Sequence, residues 1–216
     1  MKTLSLVLCF VAISHISHSQ IKALTENGKE VTLFENGTWK YSLDSSNNNQ
    51  NSTDSLTTNK TKFSRSNAAT FLVKSTAFNV GIFINPAKWT FNTHKDNETN
   101  PEYRFGLKTG EGYVMMITEK TPISLETMRQ IALLNAQKAS LDVRETSAEY
   151  RIVNNKKVLC LKFQGTIKGV KFVYFSYYYS NPKGTVQLIS YSSQQFFDAV
   201  QKELENCLNG LVEIEN

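Results

Sequence analysis

Few side chains in this 216-residue sequence combine the residue types and spacing that catalysis requires. Of its three histidines, His15 and His18 belong to an apolar N-terminal segment, and His94 stands alone in a polar stretch. One histidine cannot build a multi-histidine zinc site, and no serine or cysteine nucleophile motif accompanies it. The sequence contains no CxxC, HExxH or G-x-S-x-G motif and no glycine-rich phosphate loop. It therefore predicts no metal ion, no cofactor and no catalytic triad.

Four glutamates, Glu98, Glu102, Glu111 and Glu119, lie near one another along the chain. Two carboxyl groups held about 5 to 10 Å apart, one with a raised pKa, can hydrolyse a glycosidic bond. Exposed acids on strands and loops give the same pattern. A carboxylate hydrolase is therefore kept as a second alternative, and we expect a protein that is not an enzyme.

Two cysteines, Cys160 and Cys207, remain once Cys9 of the N-terminal segment is set aside. In an oxidising compartment they could close a loop of nearly fifty residues, worth about 3 to 4 kcal/mol in the chain-entropy model. Cys160 also lies in an apolar strand pattern, and Cys207 lies on the apolar face of a helix. Both residues could instead pack as free thiols in the core.

The aromatic run from Phe172 to Tyr179 is the one feature that could carry binding. Alternation along a strand places Tyr177 and Tyr179 on one face and Phe172, Tyr174 and Tyr178 on the other. Together with Trp89, Tyr177 and Tyr179 form the candidate surface for a partner or ligand, since tyrosine is enriched at interfaces. The alternative is a central strand covered on both faces, with all three rings in the core.

The N-terminus is typical of an exported protein. Residues 1–19 combine Lys2, an apolar run and small residues before Gln20, as in a secretory signal peptide. The run is too short to span a bilayer, and no other stretch approaches the length of about 20 residues that spanning requires. The formal net charge of +5 is spread over scattered lysines and arginines, which does not favour nucleic-acid binding. We expect a periplasmic or extracellular protein that does not span a membrane.

Two short segments follow. Residues 20–43 predict a β-meander with turns at Asn27-Gly28 and Asn36-Gly37. From 45 to 61, fourteen of seventeen residues are Ser, Thr, Asn or Gln, so residues 44–65 predict a disordered polar linker. Within it, Asp54-Ser55-Leu56 resembles the acceptor of a bacterial O-glycosylation system, which makes Ser55 a candidate site unless this is a plain linker.

Residues 66–216 predict an α+β domain, an antiparallel sheet with helices packed on its faces. Helical spacing begins after Ser124, a predicted N-cap, and again after Ser193, where a second helix ends at Gly210 in an expected left-handed stop. Strand patterns fill the rest of the domain, with turns at Asn154-Asn155, Lys168-Gly169 and Pro182-Lys-Gly184.

The order of these elements is similar to that of a known family. Residues 70–212 contain, in order, a strand, the motif INPAKW, a hairpin, a helix, VNNKKV, a long aromatic strand, YYYSNPKGTVQLISYSS and a helix ending in LNGL. This order resembles that of the PsbP-like superfamily. That group includes PsbP, the Ran-binding Mog protein and envelope proteins of the DcrB type. The meander resembles a "DGTW" element near the start of many secreted bacterial proteins. It is matched by Asn27, Gly28, Lys29, Val31, Leu33, Asn36, Gly37, Thr38, Trp39 and Tyr41.

The resemblance implies a PsbP-like sandwich without a common active site, because a fold does not carry its function with it. We therefore expect an exported, non-catalytic envelope protein that acts as a protein-interaction module, with an unidentified envelope protein as its partner. The first alternative is a module that binds a small amphipathic or carbohydrate ligand. A flat aromatic patch would favour a partner, whereas a pocket would favour a ligand.

Overall fold

The computed structural model describes residues 21–25, 30–34, 38–41, 56–93 and 101–215. The chain divides into two compact units, Met1–Asn47 and Asn48–Asn216. The predicted signal peptide, residues 1–19, lies outside the described residues, as do His94, Glu98 and Ser55.

The first unit contains a three-stranded antiparallel meander, as predicted. Its strands are β1 (Ile21–Leu24), β2 (Glu30–Leu33) and β3 (Trp39–Tyr41), in that order across the sheet. Ile21 pairs with Leu33, and Leu33 pairs with Trp39, so the three side chains form one row. All three are exposed, whereas Val31 is buried.

The second unit is built on an eight-stranded sheet in the order β4-β10-β11-β12-β13-β9-β8-β7. Its strands are β4 (Thr58–Phe63), β7 (Trp89–Thr93), β8 (Tyr103–Leu107), β9 (Tyr113–Glu119), β10 (Arg144–Val153), β11 (Lys156–Ile167), β12 (Val170–Asn181) and β13 (Gly184–Ser193). Consecutive hairpins join β10 to β13. The predicted turn at Asn154-Asn155 has both residues at positive φ, 46° and 64°, which matches the twist of a two-residue hairpin.

Strand β4 corrects the predicted linker. Residues 58–63 were expected to be disordered, but they pair in parallel with β10, from Thr58 beside Tyr150 to Phe63 beside Val153. Composition measures only the apolar area that a segment can bury, whereas β4 is also held by its backbone pairing with β10 and by the Asn59 amide, which donates to the Glu149 carboxylate over 3.1 Å. Residues 44–55 of the predicted linker lie outside the described residues.

A second sheet of three strands has the order β14-β6-β5, formed by β5 (Phe71–Lys74), β6 (Val80–Ile84) and β14 (Leu211–Glu213). Gly210 precedes β14 and was expected to stop the last helix with a left-handed backbone. It is not among the glycines with positive φ. A Cβ at Gly210 would instead lie 2.0 Å from the Phe83 carbonyl oxygen. Glycine is needed there because two backbones approach closely.

Two helices pack on opposite faces of the large sheet. Helix α1 (Leu125–Ala139) is capped by Ser124, whose hydroxyl accepts from the Thr127 N–H over 3.1 Å, as predicted. Helix α2 (Gln194–Leu208) has Ser193 as its N-cap residue, but the Ser193 side chain makes no capping hydrogen bond. The predicted α+β class is confirmed.

Each helix has its own core. On the α1 face of the large sheet, Met128 and Ala132 pack against Leu159, Leu161, Phe163, Tyr178 and Tyr150. On the α2 face, helix α2 and the three-stranded sheet cover a larger cluster that includes Cys160, Phe175, Tyr177, Leu188 and Ile82. No helix in the described parts of the chain is both long enough and apolar enough to cross a membrane.

Candidate functional site

The three residues predicted to form a binding surface lie in the core. Tyr177 is 0% exposed, Tyr179 is 7% exposed and Trp89 is 4% exposed. All three belong to the cluster on the α2 face. The prediction of a surface at these residues is therefore wrong, and the alternative of a central strand covered on both faces describes Tyr177 and Tyr179. Alternation places a side chain on a face but does not say which element covers that face.

Tyr177 is held by a partly buried polar network around Arg151. The Arg151 guanidinium donates to the Tyr177 hydroxyl over 2.8 Å, to Glu205 over 2.6 Å and to Glu149 over 2.5 Å. The Tyr177 hydroxyl in turn donates to Asn209 over 3.1 Å. The guanidinium carbon also lies 4.3 Å from the centre of the Phe63 ring. Because its groups are paired with one another, this network holds β10, β12 and α2 together.

Cys160 and Cys207 are both free thiols in the same core. The candidate disulfide is therefore absent from the structure, and the alternative of core packing describes both residues. Burial raises the pKa of the Cys160 thiol to about 12. Burial likewise raises the pKa of the Cys207 thiol. Neither sulfur is a ready nucleophile, because the thiolate is the reactive form.

Two of the predicted acids, Glu102 and Glu111, accept hydrogen bonds from separate sets of neighbours. The Glu102 carboxylate accepts from Ser75, Thr76 and Thr118, and Glu111 accepts from the Tyr113 hydroxyl over 2.8 Å. The carboxyl pKa values that clearly depart from their ordinary values within the described ranges are all lowered, at Glu126, Asp142 and Glu213. A general acid needs a raised pKa, so these residues give a carboxylate hydrolase no support.

The feature best suited to binding is a cavity of about 650 Å³ between α1 and the sheet. Its floor consists of neighbouring side chains on adjacent strands. One row runs from Tyr178 through Gln187 to Ile117, and the next runs from Ser176 through Ile189 to Met115. Since α1 packs over β11 and β12, the cavity opens toward β13 and β9.

The side chains of α1 explain why a cavity lies between this helix and the sheet. Toward the start of the helix, Met128 is fully buried against the sheet. Toward its end, Ala132, Ala136 and Ala139 line the cavity at helical spacing, and their single methyl groups fill little of the space between the helix and the sheet. The cavity therefore lies beneath the alanine-rich half of the helix.

A polar clamp fixes the end of α1 on β11. The Asp142 carboxylate accepts from the Thr166 N–H over 2.8 Å and from the Thr166 hydroxyl over 2.7 Å, and the Ser140 hydroxyl donates to the same group. These hydrogen bonds, led by that from Ser140, lower the pKa of Asp142 to about 2. A Cβ at Gly165 would lie 2.8 Å from the Ser140 hydroxyl, so glycine lets the helix end approach the strand.

Two buried polar side chains in the floor make no hydrogen bond of regular geometry to the described residues. Ser176 is 1% exposed, and its hydroxyl makes no hydrogen bond of regular geometry within the described structure. The hydroxyl nearest in effect is that of Tyr178: burial raises the pKa of Tyr178, and the Ser176 hydroxyl offsets part of that rise. Gln187 is 9% exposed, and no hydrogen bond joins its side-chain amide to another described residue. Buried polar groups are normally hydrogen-bonded. These two groups are therefore available to a molecule in the cavity.

An aromatic row extends from the cavity across the open part of the sheet. Tyr174 lines the cavity, its ring centre is 5.8 Å from that of Tyr191, and Tyr191 is stacked with Tyr113 at 5.3 Å. Burial raises the pKa of the Tyr174 and Tyr191 hydroxyls. Tyr113 is exposed, so the row leads from the cavity to solvent.

Comparison with solved structures identifies the fold. The chain is similar to cyanobacterial PsbP (CyanoP) from Synechocystis sp. PCC 6803, with a TM-score of 0.54 and 11% identity, over 68% of this chain and 93% of that chain. This chain has a PsbP-like fold. The resemblance predicted from the order of the elements is confirmed. At this identity the likeness shows the fold and nothing about function.

Two other solved structures resemble the PsbP-like domain more distantly. A Pseudomonas aeruginosa protein of unknown function has a TM-score of 0.43 at 8% identity, over 68% of this chain and 98% of that chain. A structure from Bacteroides thetaiotaomicron VPI-5482 has a TM-score of 0.46 at 14% identity, over 68% of this chain and 50% of that chain. No protein-family model matches the chain, and a sequence search of curated proteins gives no match.

The sequence contains a signal for the cavity of the PsbP-like domain. Ala132, Ala136 and Ala139 recur on one helix face, where a helix packed directly on a sheet would carry larger side chains. Ser176 interrupts an otherwise aromatic strand face. Neither observation alone distinguishes a cavity from close helix packing, because the partner of the helix face is unknown before the topology is known.

Proposed function

We propose that this protein is an exported, non-catalytic binding module whose PsbP-like domain holds a small amphipathic molecule in the cavity under α1. One observation carries the proposal: an apolar cavity whose floor presents two buried polar side chains, Ser176 and Gln187, that make no hydrogen bond of regular geometry to the described residues. Ligand sites are typically apolar clefts with a few convergent polar groups, and their volumes of about 300 to 1,000 Å³ include the volume found here.

We propose ligand binding as the function in place of a protein-interaction module. The interaction surface was expected at Tyr177, Tyr179 and Trp89, and all three are buried. A pocket was the feature that would favour a ligand, and the cavity supplies one. Export is supported by the signal-peptide pattern of residues 1–19.

A pair of helix variants tests the proposal. Nile red, an uncharged apolar dye, should bind the full-length protein at one site and fluoresce. Ala136→Phe places a ring inside the cavity and should abolish binding. Gln137→Phe adds the same ring to the exposed side of α1 and should leave binding intact.

Near-ultraviolet circular dichroism of both variants would confirm that the core is retained. If Ala136→Phe perturbs the fold, Ile189→Trp at the half-buried edge of the cavity provides a second obstruction. Equal dye binding by the wild type and a folded, obstructed variant would contradict the proposal.

A further inference from the structure

The charge of the cavity restricts what it can hold. Among the eighteen described residues that line it, Glu119 is the only one with a charged side chain, and it is exposed at the rim. No lysine or arginine is among these lining residues. The cavity therefore offers no cation to an acidic ligand.

The groups in the floor are neutral. The Ser176 hydroxyl can donate and accept one hydrogen bond each, and the Gln187 amide has both a carbonyl oxygen and an NH₂ group. The two side chains are neighbours in the sheet, because Gln187 pairs with Tyr178 and Ser176 lies two residues before Tyr178 on the same face. Together they can satisfy a head group that both donates and accepts hydrogen bonds.

We propose that the ligand is an uncharged amphiphile with an amide or hydroxyl head group, and that the cavity discriminates against the corresponding carboxylates. This inference rests on the proposed function. The head group meets Ser176 and Gln187, while the aliphatic chain lies along Ile117, Ile189 and Met115.

The cavity excludes a carboxylate because it buries the charge without replacing the water that hydrates it. Moving an ionised group out of water into an apolar site is unfavourable unless a counter-ion or several hydrogen-bond donors replace its hydration. Glu119 adds repulsion at the rim, since its charge has the same sign as that of the ligand. An amide of the same chain length has neither disadvantage.

Three eight-carbon probes of matched length test the inference: octanamide, 1-octanol and octanoate. Their dissociation constants for the full-length protein are measured by calorimetry at pH 8, where octanoate is ionised. We expect octanamide to bind at least about tenfold more tightly than octanoate, which corresponds to 1.4 kcal/mol. Octanol should also bind more tightly than octanoate.

A charge reversal at the rim provides the second measurement. Glu119→Lys should strengthen octanoate binding several-fold relative to octanol binding, because only the acid responds to the sign of the charge. Asp198→Lys makes the same change in net charge at an exposed position on α2, on the opposite face of the sheet, and should alter neither affinity.

The outcomes separate the two proposals. Octanoate binding as tightly as octanamide, with binding lost in Ala136→Phe, would overturn the discrimination and leave the ligand cavity in place. Failure of all three probes and of Nile red to bind would overturn the ligand cavity itself and the inference that rests on it.

Discussion

The Arg151 guanidinium donates a hydrogen bond to the Tyr177 hydroxyl over 2.8 Å, and it does so from a half-buried position beside the core on the α2 face, in which Tyr177 lies. An aromatic residue that could have formed a binding surface thus anchors a charged network between β10, β12 and α2. The network lies on the face of the sheet opposite the cavity, so its contribution to stability can be measured without substituting a residue that lines the cavity.

Replacing Arg151 with methionine should lower the free energy of unfolding by about 2 to 3 kcal/mol. The aliphatic stem is kept, but Glu149 and Glu205 lose their cation. The value lies near or below the lower end of the range for buried pairs, because both carboxylates keep some contact with water. Lys88→Met breaks the exposed pair with Glu203 and should cost less than about 1 kcal/mol in urea unfolding. Equal losses of unfolding free energy in the two variants would show that the Arg151 network contributes no more to stability than an exposed ion pair does.

Truncating the buried tyrosines should destabilise the domain strongly. Tyr177→Ala leaves a cavity in the core and removes the acceptor of the Arg151 hydrogen bond, so we expect a loss of about 3 to 5 kcal/mol. Thermal unfolding followed by circular dichroism measures it. Tyr113→Ala, at an exposed ring, serves as the comparison and should shift the midpoint little. An unchanged thermal midpoint in Tyr177→Ala would show that the Tyr177 ring does not contribute to the core.

Ser176→Ala should stabilise the ligand-free protein and weaken ligand binding. The substitution removes a buried hydroxyl that makes no hydrogen bond of regular geometry to a described residue, and a buried group left unsatisfied costs about 1 to 3 kcal/mol. Urea unfolding of the ligand-free protein and octanamide calorimetry measure the two effects. Ser147→Ala on β10, an exposed site, should change neither. A destabilised Ser176→Ala protein would mean that the hydroxyl has a partner within the fold.

Acid should weaken the clamp at the end of α1. The pKa of Asp142 is lowered from 3.8 to about 2, first by the Ser140 hydroxyl and then by Thr166. A carboxyl group with a lowered pKa contributes stability that is present above about pH 4 and is lost as the pH falls toward 2. Asp142→Asn should therefore be less stable than the wild type at neutral pH, and the difference should shrink between pH 4 and pH 2.

Thermal midpoints across that pH range measure the effect. Asp198 is an exposed acid on α2 without a hydrogen bond among the described residues. The thermal midpoint of Asp198→Asn should therefore stay at a constant difference from that of the wild type across this pH range. A constant difference between wild type and Asp142→Asn from pH 4 to pH 2 would contradict the role of the clamp.

Cys160 and Cys207 should resist thiol reagents in the native protein. Both are buried, and burial raises the pKa of each thiol, that of Cys160 to about 12. Labelling with a maleimide should be slow under native conditions and complete in guanidinium chloride without a reducing agent. If both thiols became reactive only after reduction, the candidate disulfide would be present in solution.

The order and type of the elements could be predicted because hairpin turns and helix caps are local. Asn154-Asn155 and Ser124 act on their immediate neighbours, and both positions were predicted correctly. The roles of Gly210 and Tyr177 could not be predicted. Each depends on an element distant in sequence, the Phe83 carbonyl for one and α2 with Arg151 for the other.

The parallel pairing of β4 with β10 has a consequence for the order of folding. The hairpins from β10 to β13 connect neighbours in sequence and can form early, whereas β4 must wait for a strand more than eighty residues away. Until then the β10 edge is exposed to other chains that could add to it. Once in place, β4 presents Lys60 and Lys62 at the sheet margin, and charged edge strands of this kind discourage aggregation.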